Sequence, residues 1–398
     1  MKKTRKILIF CIACAFAFAA ISSMFKSNVK LTADESSVST GSESYGVSDY
    51  EKYISEKTQA HTAKYGSQTL TPSLSSPIVV LGQNYKEKGG TVHDGFSPVV
   101  KELPIAEYEA YKYSETAKLG GDKLVAHLGG YVSYEVEVPA AGFYTLYLNY
   151  YTYSGFSSAT ERSLLINGEL PFSDCSAFTF SRVWQDKADT RVKDGVETVY
   201  NVLNTDTNED GNFTISKLWR KDTNKNELKP QQVEVQNAKT GSAFKDSMGY
   251  VTEPFEFYFE EGTQTIRLDF IKEYFVIDTI ELRQVEKAKS YAEYYEALVA
   301  QHGNPSNSIK NTYTRIEAEA TGTKSSPTLY PITDRSDSNT YPFSITKSYL
   351  NTIGGSNWKV LGDWVAWEFS VPKSDIMKFQ CVLNKIQYVV CSQQELYH

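Results

Sequence analysis

The chain has 398 residues, 41% hydrophobic and 22% charged, long enough for two or three packed domains. Its net charge of -7 argues against nucleic acid as a partner, because nothing would neutralise phosphates. Five cysteines, two of them in the N-terminal apolar run, show no spacing for a metal site or a disulfide framework.

Lys2, Lys3, Arg5 and Lys6 precede the apolar run from Ile7 to Phe25, the pattern of an export signal. Residues 1–33 are therefore expected to be a signal, cleaved after Ala17-Phe18-Ala19 or kept as a membrane anchor. This makes the protein exported, extracellular or held at the cell surface. Residues 34–69 read as a polar spacer followed by a short helix from Tyr50 to about Lys64. That helix is echoed by Tyr291-Ala292-Glu293-Tyr294-Tyr295, in a helical linker assigned to 287–311.

The stronger echo is β. Leu128-Gly129-Gly130-Tyr131 and the alternating stretch to Val138-Pro139 reappear from Leu361-Gly362-Asp363-Trp364 to Val371-Pro372. In the first copy Gly142 opens a second alternating strand, with Tyr144, Leu146, Leu148 and Tyr150 on one face. Matching spacings ahead of Tyr131 and Trp364 place the first strands at Pro77–Leu81 and Arg315–Ala320. The competing choice, Ile105–Glu109, lies too close to Tyr131. Asn167-Gly168 between apolar arms predicts a type I′ hairpin turn. Residues 181–245 read as long loops with short hairpins, and alternating strands resume from Phe255 to Leu282. The expected fold class is mainly β: one antiparallel sandwich over 70–286 and an incomplete second one over 312–398, each preceded by a short helix.

The strand order, together with Glu169-Leu170-Pro171-Phe172, Phe180-Ser181-Arg182-Val183-Trp184 and Lys324-Ser325-Ser326-Pro327-Thr328-Leu329-Tyr330-Pro331, resembles the galactose-binding-like jelly rolls of carbohydrate-binding modules. Two such units look like the N-terminal region of the solute-binding proteins of bacterial ABC importers, apparently truncated. The resemblance covers about 48–372. It implies non-catalytic carbohydrate recognition at a cell surface, with importer membrane subunits as partners if the intact gene encodes solute-binding lobes. The alternatives are a structural or adhesive surface protein contacting cell wall or protein, and the ancillary region of a secreted glycosidase.

Candidate ligand-binding residues are Tyr147, Asn149, Tyr151 and Trp184, which could stack on sugar rings and hydrogen-bond their hydroxyls. Packing inside the sandwich is the competing use for the strand aromatics. The resemblance also implies a structural calcium held by acids of the first and last strands; Glu317 and Glu319 fit in unit two, while Leu81 and Gln83 stand there in unit one. Asp206 to Gly211 matches the opening of a calcium loop, but Lys217 stands where the bidentate acid belongs, and a polar turn is the better reading. No catalytic motif is present, so the chain is expected not to be an enzyme. From about 375 the tail lacks the turn glycine and alternating strand that follow Val138-Pro139, and it is read as out of frame.

Overall fold

The computed structural model describes residues 6–11, 48–90, 99–286, 289–305, 311–360, 362–372 and 375–380. Its centre is an antiparallel sandwich of two sheets. One runs in the order Lys239–Ala243, Gly142–Thr152, Phe275–Gln284, Lys123–His127 and Val100–Pro104. Ile78–Leu81 also pairs with Phe275–Gln284, and Glu256–Phe259 with Gly142–Thr152. The other sheet runs Tyr85–Gly89, Tyr131–Val138, Gly262–Lys272, Thr160–Ile166 and Phe178–Phe180. Strand alternation fills the space between them. Tyr144, Leu146, Leu148 and Tyr150 meet Val132, Tyr134, Val136, Leu164, Ile266 and Leu268 in one buried cluster.

Several sequence expectations have direct counterparts. Asn167 and Gly168 take φ of 52° and 83°, the pair of left-handed residues that a type I′ turn requires. Ile78–Leu81 is the first strand and pairs with the closing one, while Ile105–Glu107 is a single helical turn. The helix Asp49–Tyr65 starts on a capping box between Ser48 and Glu51. Its tyrosines finish an exposed edge. Tyr50 Oη accepts the Glu256 amide at 3.0 Å and Tyr53 Oη the Tyr258 amide at 2.8 Å, so the outer amides of Glu256–Phe259 are not left bare. The helix expected in the linker, Tyr291–His302, has the same capping box but buries no residue.

Unit two is tied to the first unit's long insertion. Thr314–Ile316 lies parallel to Phe213–Lys217 rather than antiparallel to a closing strand of its own. Thr323–Lys324 pairs with Trp364–Phe369 on one side and meets Trp184 on the other. Trp184–Asp186 continues to Gln232–Glu234. Two motifs far apart in sequence, around Trp184 and Lys324, thus share one sheet. Val183, Trp364 and Ala366 form a small core there, with Leu329, Val365 and Trp367 forming another. The half-sandwich closes some of its edges on the insertion. Of the N-terminal segment only Lys6–Cys11 is described, a strand antiparallel to Trp364–Phe369. No helix among the described residues is long and apolar enough to cross a membrane. Of the tail from 375, residues 375–380 are described without regular structure, and the rest lies outside the described residues.

Candidate functional site

One end of the sandwich gathers the turns around His127, Ser154–Ser158 and Glu273. Thr152 and His127 pair with Phe275, and Glu161 with Lys272, which brings these turns together. Glu273 is 5% exposed and adopts a left-handed φ of 57°. Its carboxylate accepts the Phe156 amide at 2.9 Å and the Ser158 hydroxyl at 3.0 Å. A Cβ on Gly155 would stand 2.2 Å from a Glu273 carboxylate oxygen, so glycine is what lets the acid reach the loop backbone. Arg182, also buried, lies 3.8 Å from Glu273 and donates to Glu234 at 2.7 Å and to the Tyr153 carbonyl. The loop is therefore fixed by buried charged groups. What it presents is a bare aromatic ring: Phe156 is 87% exposed.

Below this loop Arg162 is fully buried, its guanidinium 4.6 Å from the Phe270 ring centre and 4.2 Å from that of Phe275. It donates to the carbonyls of Glu161, Lys272, His127 and Glu273 and to His127 Nδ1. Burial, and then the Arg162 charge, hold the His127 imidazole well below its ordinary pKa, so it stays neutral and accepts.

The ligand candidates drawn from the sequence lie elsewhere: Tyr147 and Asn149 stand together against Gly241, and Tyr151 and Trp184 lie in other clusters. Tyr151 is 1% exposed and packs with Leu103, Ile105, Tyr111, Leu124 and Val276, beneath the turns at 105–111. That corrects both earlier readings of this residue: its ring is open to no sugar, and it is buried on the outer face of its sheet, not in the central core. Asn149 spends its amide on Thr279 at 2.9 Å and Glu281 at 2.6 Å. Tyr147 is covered by the Arg283 guanidinium, 3.6 Å from its ring centre. Trp184 is half-buried within the sheet that joins the insertion to unit two. Alternation separated the two faces of this strand but did not say which is the core or which segments cover the other.

Glu319 is buried; burial first, then Glu317 beside it, push its carboxyl up to about 8. Glu317 also pairs with Arg315 at 3.2 Å. Two acids sharing a proton supply only part of the roughly six to eight oxygens that calcium takes. Among the described residues no group of three or more His, Cys, Asp or Glu is placed to hold a metal. As arranged, the pair does not fit that ion. Asp206 and Asn208 lie in and beside the hairpin of Leu203–Thr207 with Phe213–Lys217, where Asn208 Oδ1 accepts the Asn212 amide at 2.9 Å. This is a turn, as expected.

No protein-family profile matches the chain, and no curated protein does. Solved structures similar to it include a family 35 carbohydrate binding module from Clostridium thermocellum, at 10% identity and TM-score 0.27, covering 53% of this chain and 100% of that one. A second is a Podospora anserina GH26-CBM35 β-(1,4)-mannanase, at 10% identity and TM-score 0.24, covering 58% and 36%. A third is the CBM6cm-2 module of Cellvibrio mixtus lichenase 5A, in complex with cellotriose, at 9% identity and TM-score 0.23, covering 53% and 100%. At these values the likeness adds nothing to the β-sandwich already read from the strand pairing.

Proposed function

We propose that this chain is a non-catalytic glycan-recognition module that binds its ligand at the Phe156 end of the sandwich. The observation that supports the reading is the combination at that loop of an almost fully exposed phenylalanine and a backbone fixed from within by Glu273. Leaving a large apolar ring in water on a rigid loop gains nothing for folding. It does provide a pre-set face for the apolar side of a sugar ring, with little ordering cost on binding. In the same reading the module is exported and works at the cell surface, as the recognition region of an ABC-importer solute-binding protein.

A glycan array probed with the full chain tests this. Retention on defined oligosaccharides is the expected result, and retention only on whole cell wall would favour an adhesive role instead.

A further inference from the structure

The long insertion carries a feature unlike the rest of this acidic chain. A cleft of about 580 Å³ is lined by Arg191, Tyr200, Leu218, Trp219, Arg220 and Lys221. It lies beside the hairpin Asp189–Lys193 with Val196–Tyr200, and its far wall follows the strand Phe213–Lys217. Three of its six lining residues are cations, in a chain of net charge -7.

The cations are held in place. Asp189 binds the Arg191 guanidinium at 2.8 Å and the Arg220 guanidinium at 2.9 Å, so one carboxylate orients two forks. Lys221 pairs with Glu227 at 3.4 Å. Across these five groups one positive charge is in excess. The apolar part of the lining is also fixed. Trp219 is 5% exposed, with the Lys217 ammonium 5.7 Å from its ring centre, while Leu218 is 49% exposed.

We infer that this cleft is a second binding site, for a saccharide that carries a carboxylate. A planar guanidinium fork matches a carboxylate edge, and the surplus charge is satisfied by one such group. Tyr200 and Leu218 supply the apolar surface that a sugar ring needs and a bare anion does not. A chain of uronates would present one carboxylate per ring to this lining. The site is separate from the Phe156 loop, so either can fail without the other.

The test is calorimetric titration of the full chain with a trigalacturonate, with its methyl ester as the neutral twin and with poly(glycerol phosphate) as a sugar-ring-free anion. The acid should bind, the ester should bind at least tenfold more weakly, and the phosphate polymer should bind more weakly than the acid. Raising salt should weaken the acid, since the cations are solvent-exposed. The double variant Arg191→Ala/Lys221→Ala removes two exposed side chains and should cost at least tenfold with its circular dichroism unchanged. Phe156→Ala should bind the acid as the wild type does. Equal binding of acid and ester, a preference for the phosphate polymer, full affinity in the double variant, loss in Phe156→Ala, or no binding at millimolar acid would each overturn the assignment.

Discussion

Asp186→Ala is expected to cost roughly 3–5 kcal/mol and to release unit two from the insertion, read by denaturant unfolding with tryptophan fluorescence. The Asp186 carboxylate meets the Lys324 ammonium at 2.6 Å on one oxygen and the Lys217 ammonium at 2.6 Å on the other, and Gln232 donates to it at 2.8 Å. The side chains of Asp186 and Lys324 are fully buried and that of Lys217 nearly so. Without the acid two ammonium groups would stay in the interior unpaired. Lys324→Met should behave oppositely, neutral or stabilising, because it leaves a one-to-one pair in an apolar setting. Burial outweighs the attraction of Asp186 and brings Lys324 down to about 8 from 10.5. Between those values the unfolded chain holds the proton and the folded one does not, so stability should rise from about pH 8 upward. The rise should end near pH 10, where the unfolded tyrosines begin to ionise while burial holds Tyr50 and Tyr53 protonated. A Lys324→Met protein should show a smaller rise, because burial also holds Lys217 below its ordinary value.

Arg162→Ala should also cost about 3–5 kcal/mol. It strips the donor from four carbonyls and from His127, and it leaves a void between Phe270 and Phe275. Because Arg162 holds the Glu273 carbonyl, the variant should loosen the Phe156 loop as well as lower the melting temperature. Rapid hydrogen exchange at the Phe156 amide, slow in the wild type, would show it. A melting temperature within a degree or two of the wild type would contradict the arrangement described for this end.

The sandwich was legible because its information is local. Alternation from Tyr144 to Tyr150 separates the two faces of the strand, and Asn167-Gly168 names its turn without any partner in view. The site was less legible. Tyr147, Asn149 and Tyr151 share a face by the same rule, but Ile105 and Tyr111, which bury that face around Tyr151, come from a segment with no such period. The meeting of Trp184 with Lys324, and of Lys324 with Asp186, depends on pairings across more than a hundred residues that no pattern announces. Phe156 could have been noticed as a large aromatic in the Ser-Gly-Phe-Ser-Ser stretch at 154–158. Its support by Glu273 could not, because that contact is set by the fold.

The central claim rests on one ring. The full chain should be titrated with the oligosaccharide that the glycan array retains best, alongside Phe156→Ala. The account predicts at least a tenfold loss of affinity in the variant, on the order of 1.5–3 kcal/mol, with an unchanged melting temperature. Equal affinity in the two proteins, or an array on which no glycan is retained, would contradict it.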